Sequence, residues 1–417
     1  MSKTRTLNPS YRWVILIINF FVCALAYAGL TTWSTASPEL VETFKISNTV
    51  ASLGSSAFMA GYAVGSFVEA NVSAKRGYRA AGLLGLILMT IGILGIPYAP
   101  NFGIVLVLRF CQGWGILWLV GVNSTVAWFP PAKRGFASGM IGAALVLGIG
   151  CGGLVATGLL NAAGSWQGAF KLFAVILLVA TVIWGLLMKN PPKDLYEEPE
   201  ANAAAVKKSG RKINPYKTVG AWLCALCLFF NCWQLIGFNS LASSYITSLG
   251  YTDVQAGLVV LFTGLIGILS TVLSGFISDG MVKKGVLPIK ARAVTMAIPG
   301  FLVAAVSTVL YPFIAPISFG MAIFGCLLVG WGVPVTNGSL GALPMDLLGD
   351  EEAAGKMFGL TIFLGIGAGG ILAPYVASSC AESYGYTVAL IVLGAGALVA
   401  TVISLILPKF QLRHDDA

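Results

Sequence analysis

The heptapeptide Leu147-Gly-Ile-Gly-Cys-Gly-Gly153 returns in the second half of the chain as Leu364-Gly-Ile-Gly-Ala-Gly-Gly370. The same separation carries Gly113-Trp114-Gly115 onto Gly330-Trp331-Gly332, and Gly142 onto Gly359. One offset that fits three separate elements in apolar sequence says that the fold is built twice. Duplicated membrane halves are the plan of many secondary transporters, with a substrate site between the halves near the bilayer midplane.

Composition places the repeat in a membrane. The chain is 57% hydrophobic and 10% charged, with a mean hydropathy of +0.87, against about 25% charged residues in soluble domains. Val14 to Ser37 is too long for a signal-peptide core and lacks a clear cleavage site, so it reads as a retained first span. Turn and charge signals divide the chain into twelve spans of about 20 residues or more, each enough for a hydrocarbon core. They lie near 13–34, 49–70, 80–97, 102–128, 135–160, 168–188, 218–246, 255–277, 291–311, 316–344, 356–379 and 386–407. Pro97-Tyr-Ala-Pro-Asn101 and Tyr311-Pro-Phe-Ile-Ala-Pro316 split overlong stretches at corresponding places of the two halves. The expected fold is an all-α integral membrane protein of twelve transmembrane helices in two six-helix repeats. Residues 1–188 and 218–417 form the two bundles, and 189–217 is a solvated cytoplasmic linker.

Twelve spans put both termini on one side. All of the 25 Lys and Arg except Lys45, Arg109 and Lys171 fall in the N-terminus, the even-numbered loops or the tail. The positive-inside rule then makes both termini cytoplasmic in a multi-pass protein of the cytoplasmic membrane. This topology accounts for the net charge of +9 without a nucleic-acid partner. The eight cysteines fall in or at the ends of spans and read as packing residues. The single histidine, His414, is in the tail. No span carries an acid pair, a His cluster or an activated nucleophile, so no catalytic residues, metal site or cofactor are expected. The expected partners are the lipid bilayer and a small-molecule solute, with the protein acting as a monomer.

Arg109-Phe-Cys-Gln112-Gly113-Trp-Gly115 resembles the R-x-x-Q-G-x-G pattern of the fourth helix in the major facilitator superfamily. Trp128-Phe-Pro130 followed by Lys133-Arg134-Gly135 resembles the loop after that helix, and Ser165-Trp166-Gln-Gly-Ala-Phe170 the usual opening of helix six. Gly275-Phe-Ile-Ser-Asp279 resembles the loop motif after helix eight. The resemblance covers essentially the whole chain and implies transport by alternating access. In the equivalent loop after helix two, Ala70 and Ala74 stand where Gly and Asp are expected, leaving Lys75, Gly77 and Arg79. Glu69 is the candidate for the missing carboxylate from a displaced position. The resemblance therefore assigns gating to Glu69, Lys75, Arg79 and Asp279. The glycines Gly148, Gly152, Gly365 and Gly369 read as small residues that let helices approach and slide.

An ionisable side chain within a span is a functional hypothesis. Arg109 shares a helical face with Gln112, and two readings stand: attraction of an anionic group, or a structural bond to span one at Asn19. On span seven, Asn231, Gln234 and Phe238 share a face with Cys227 and Tyr245; by the resemblance this stripe lines the central cavity, with interhelical bonding as the alternative. Asn19 and Tyr27 are candidates for the opposite wall. Trp114, Trp118 and Trp331 are cavity rings or packing. Trp33, Trp128 and Tyr311 read as an interfacial belt.

One buried arginine, a neutral polar face and several aromatics suit a small, partly apolar organic anion such as a carboxylate. Efflux of hydrophobic compounds is the alternative within transporters. A membrane-embedded enzyme or a transport-like receptor is the alternative from other classes. The acids all fall in loops, tails or span ends, which favours a uniporter, a substrate/product exchanger, or symport in which the proton rides on the substrate's own carboxylate, with Glu69 as the exception to test.

Overall fold

The structure, a computed structural model, describes residues 9–191 and 213–411. Most of the expected linker lies outside the described residues. Among the described residues the secondary structure is helical throughout, in twelve rods. The first six are α1 (Arg12–Phe44), α2 (Asn48–Arg76), α3 (Tyr78–Gly95), α4 in two segments (Phe102–Trp114 and Trp118–Trp128), α5 (Arg134–Ala163) and α6 (Trp166–Leu187). The second six open with α7 (Val219–Ser248) and α8 (Asp253–Lys283). Next is α9, in which a π-turn, Met296–Leu302, joins Pro288–Thr295 to Val303–Ile314. Then come α10 in two segments (Phe319–Gly332 and Val335–Leu348), α11 (Glu351–Leu364, a π-turn Gly365–Gly369, Gly370–Tyr384) and α12 (Tyr386–Ile406).

The helices begin differently at the two ends of the bundle. At the end away from the basic loops, Ser47, Asn101, Ser165, Thr252 and Ser318 each accept a backbone N–H of the first turn of α2, α4, α6, α8 and α10. Each side chain satisfies one donor that the helix leaves free. At the basic end, the starts of α3, α5 and α7 have no side-chain cap of their own. The α5 start draws on Asp279 from elsewhere in the chain, while α11, which also begins at that end, is capped by its own Asp350.

Eleven of the rods contain a stretch long and apolar enough to cross a membrane among the described residues. The remaining one, α2, carries Ser55, Ser56, Ser66, Glu69, Asn71 and Ser73. It tolerates them because it is wedged against α4 on one side and α11 on the other. The peripheral α6 instead exposes Val175, Leu178, Val182 and Leu186 to the lipid level.

The two halves join at the basic end. One continuous apolar core runs from Trp118 and Leu119 of α4 into Leu340, Leu343, Met357 and Phe358 of α10 and α11. Trp118 and Phe358 meet edge-on at 5.6 Å, and Phe67 of α2 meets Phe363 of α11 at 5.7 Å. At the other end the second half has a core of its own around Phe238, Tyr245, Tyr311 and Leu393. The conformation is closed at the basic end.

Candidate functional site

Helices are interrupted near mid-length at matching places in both halves. In α4, Gly115 sits against the Gly85 carbonyl and the Met89 side chain of α3, where a side chain has no room. The Ile116 N–H turns back to Gly113 O at 3.2 Å, and the helix restarts at Trp118 with no side-chain cap. In α10, Pro334 lacks an N–H and its ring crowds the preceding turn. Thr336 and Asn337 there bond only three residues back. Both rods were expected to be continuous; the glycine and the proline break them. Interrupted helices at mid-membrane are where transporters of this general plan put their solute.

Two asparagines clamp the first helix of each half to the rod segment beyond its break. Asn19 Nδ2 donates to Ser124 Oγ (2.9 Å), Thr125 Oγ1 (3.0 Å) and Gly121 O (3.4 Å), and its Oδ1 accepts Trp184 Nε1 (2.8 Å). Asn231 Nδ2 donates to Thr336 Oγ1 (2.7 Å), Val333 O (3.4 Å) and Asn337 Oδ1 (3.5 Å). Asn19 is as far from Asn231 in sequence as Gly121, Ser124 and Thr125 are from Val333, Thr336 and Asn337. This repeat has its own separation, shorter than that of the glycines. Both amides face their own half, which corrects the expectation that they line the gap between halves.

The rest of the α7 stripe is likewise turned inward. Gln234 Nε2 donates to Thr308 Oγ1 at 2.6 Å, and Phe238 packs edge-on against Tyr311 at 5.1 Å. Tyr245 donates to Pro312 O at 3.1 Å. Gln234, Phe238 and Tyr245 meet α9 and Cys227 meets Ser404 of α12, so Gln234 and Phe238 take the interhelical roles held as the alternative to lining a cavity. Trp331 is half-buried at the end of the first α10 segment.

Arg109 and Gln112 do come together, around Gly29 of α1; Tyr27 does not join them, its contacts being with α2 and α5. Arg109 Nε donates to Gly54 O (3.1 Å) of α2, and Nη1 to Gly29 O (3.3 Å) and Gln112 Oε1. Gln112 Nε2 also reaches Gly29 O, at 3.2 Å. The guanidinium lies between Trp33 and Phe58, 4.7 and 4.6 Å from their ring centres, each a favourable cation–π contact. Nη2 has no partner, and no carboxylate pairs with this arginine among the described residues. Trp33 was expected at the interface. Because α1 continues to Phe44, Trp33 is instead deep in the bundle. Two residues before Gly29, the Tyr27 hydroxyl bonds that of Tyr62 on α2 at 2.8 Å. Tyr62 was missed; its only signal was a tyrosine midway along the unusually polar α2.

Gly148 supports Tyr27 from α5: a methyl there would lie 2.7 Å from Tyr27 Cβ. Gly365 and Gly369, the counterparts of Gly148 and Gly152, abut Leu228 and Phe229 of α7. Gly152 is buried on α5.

The charged contacts between the halves, where gating was expected, are at the basic end. Asp279, at the end of α8, accepts the backbone N–H groups of Gly135 (3.2 Å) and Phe136 (2.7 Å) in the first turn of α5. Arg292 of α9 binds Asp279 and Ser278 through Nη1, Asp346 of α10 through Nε at 3.3 Å, and Pro131 O at 3.4 Å. Arg134 lies 3.7 Å from Asp346. Arg134, Arg292 and Asp346 were missed, although the basic residues after Asp279 were visible. In the first half, Lys75 and Arg79 are exposed, and the Arg79 N–H bonds Asn190 at 3.2 Å. Glu69 was expected to replace the missing latch acid. It is 1% exposed and neither carboxyl oxygen has a partner. Since α2 continues to Arg76, Glu69 falls inside the bundle rather than at its rim.

The family model described as Major Facilitator Superfamily matches residues 16–365. The chain belongs to that superfamily. It is a multi-pass membrane transporter rather than an enzyme. A hexuronate transporter of Bacillus subtilis is 23% identical over 280 residues, the match spanning 65% of each chain. A probable sulfoacetate transporter of Cupriavidus necator is 25% identical over 94% of each chain. A probable galactarate/D-glucarate transporter of Escherichia coli is 25% identical, over 94% of this chain and 93% of its own. The proton:xylose symporter XylE superposes with a TM-score of 0.75 at 15% identity, covering 97% of each chain. FucP in its outward conformation superposes with a TM-score of 0.65 at 15% identity, over 96% of this chain and 98% of its own. These two likenesses establish the fold.

Proposed function

We propose that the protein moves a small organic anion, a carboxylate, across the cytoplasmic membrane by alternating access. The halves 1–188 and 218–417 act as the rocking bodies, and both termini are cytoplasmic, so that the closed basic end faces the cytoplasm. The observation that carries the anion reading is Arg109. It is a fully buried guanidinium, held by carbonyls and two aromatic faces, with one nitrogen unengaged and no acid beside it among the described residues. A buried cation without an internal counter-ion is costly, and an anionic solute supplies the missing charge. The relatives named for hexuronate, sulfoacetate and galactarate or D-glucarate support this class.

The test is ligand-induced thermal stabilisation of purified protein by D-glucuronate, sulfoacetate and D-glucarate. One of these acids should stabilise the wild type. Arg109→Gln should lose that stabilisation, and Arg109→Lys should keep only part of it, because an ammonium lacks the planar fork of donors. Equal stabilisation of both variants and wild type would make Arg109 structural and remove the anion reading's main support.

A further inference from the structure

We propose that Glu69 is a proton-binding site whose occupancy is linked to which end of the transporter is open. The inference rests on the alternating-access part of the function proposed above and not on the identity of the solute.

Glu69 occupies a shaped slot. It projects from α2 toward α3 and the α4 break, where Gly85 leaves space: a methyl at Gly85 would run into Glu69 Oε1 and lie 3.3 Å from Gly115 Cα. The carboxyl is buried and makes no hydrogen bond or ion pair among the described residues. The charged and titratable groups on the surrounding elements are engaged elsewhere or exposed. On α2, Tyr62 bonds Tyr27, and Lys75 and Arg76 are exposed. On α3, Tyr78 bonds Glu351 and Arg79 is exposed. On α4, Arg109 is held by Gly54, Gly29 and Gln112; on α11, Lys356 pairs with Glu352. A carboxylate in such a site has lost its water and gained nothing in return, so the neutral acid is the form that fits.

Nearby groups show what the charged form would use. Ser66 Oγ, one turn before Glu69, and the indole N–H groups of Trp114 and Trp118, on either side of the α4 break, are also buried without partners. Donors without acceptors and an acceptor without donors flank one interrupted helix. Rocking that opens the basic end moves the Trp118–Phe358 and Phe67–Phe363 contacts between halves, and with them α2 and the break. Glu69 then reaches water, or these donors, and ionises. The proton passes to water through the open end, and a proton from water restores the carboxyl O–H before that end closes. Opening and closing of the basic end are thereby tied to loss and regain of a proton at Glu69, the exception that the uniporter or exchanger reading left to be tested.

The experiment needs no solute. Lys133 and Lys284 are exposed at the basic end in opposite halves. Spin labels on Lys133→Cys and Lys284→Cys are placed in a Cys111→Ala, Cys151→Ala, Cys380→Ala background, in lipid nanodiscs. Electron–electron distance distributions are recorded from about pH 5 to about pH 9, the range over which buried carboxyls titrate. The short, closed distance should dominate at low pH and give way to a longer one as pH rises. The ratio should change about tenfold for each pKa unit that separates the two states. Glu69→Gln, a fixed mimic of the neutral acid, should stay short throughout. A wild-type distribution that does not respond to pH overturns the proposal whether or not the variant folds. A Glu69→Gln response equal to wild type also overturns it, by assigning the titration to the gate acids. Neither outcome touches the anion reading, because no solute is present.

Discussion

The starts of α5 and α11, aligned by the glycine repeat at Arg134 and Glu351, meet the same electrostatic demand in opposite ways. A helix N-terminus presents free N–H groups and a partial positive charge. The α5 sequence opens with Lys133 and Arg134, the wrong sign for that position, and has no cap of its own. It takes its acid from the other half of the molecule: Asp279 accepts Gly135 and Phe136, while Asp346 stands beside Arg134. The α11 sequence opens with Asp350, Glu351 and Glu352. Asp350 Oδ1 accepts the Ala353 N–H at 2.7 Å, and Tyr78 donates to Glu351. That helix needs no latch acid from α2, and Ala74 stands where one would be. The difference teaches that a missing motif residue is read together with the helix end it would have served. Closure at the basic end is asymmetric, with the charged latch between α8 and α5.

The largest effect belongs to that latch. Asp279→Asn leaves Arg292 short of a buried partner and should destabilise the closed state by about 3 kcal/mol or more. The melting temperature of the purified protein should fall. A cysteine in place of Ser138, buried where α5 meets α10, should become reactive to an impermeant maleimide; an unreactive cysteine would break the comparison. Asp350→Ala, by contrast, removes a cap within one helix. It should cost about 1 kcal/mol and leave the Ser138 position protected. The smallest effect is Ala74→Asp, which should change stability by no more than about 0.5 kcal/mol, because acids already occupy the α11 start. Closure strengthened by Ala74→Asp as much as it is weakened by Asp279→Asn would show the two sides to be equivalent.

Much of this was legible in the sequence, and the remainder has identifiable causes. Apolar runs, Pro97 and Pro316 place the rods, although α9 runs through Pro312 to Ile314, and the charge distribution marks the basic end. Arg109 and Gln112, three residues apart on one helix, were bound to be neighbours. Rod lengths were not legible: the hydrophobic run ends near residue 34 while α1 continues to Phe44, and near residue 70 while α2 continues to Arg76. That shift moved Trp33 and Glu69 from the rim into the interior. Periodicity showed that Asn231, Gln234 and Phe238 share a face, but nothing in one helix says which neighbour the face meets. The paired clamps of Asn19 and Asn231 were hidden because their separation differs from that of the glycines. Arg292 and Asp346 meet only through the packing of α9 on α10.

The central claim, that this superfamily member carries a small organic anion through a path governed by Arg109, is tested most directly by flux. Purified protein is reconstituted into liposomes, and uptake of radiolabelled D-glucuronate, sulfoacetate and D-glucarate is followed, with unlabelled acid inside to drive exchange. At least one acid should enter saturably, and Arg109→Gln should reduce that entry at least tenfold while its folded yield stays near normal. Absence of flux for all three acids, or flux that Arg109→Gln leaves unchanged, would contradict the claim.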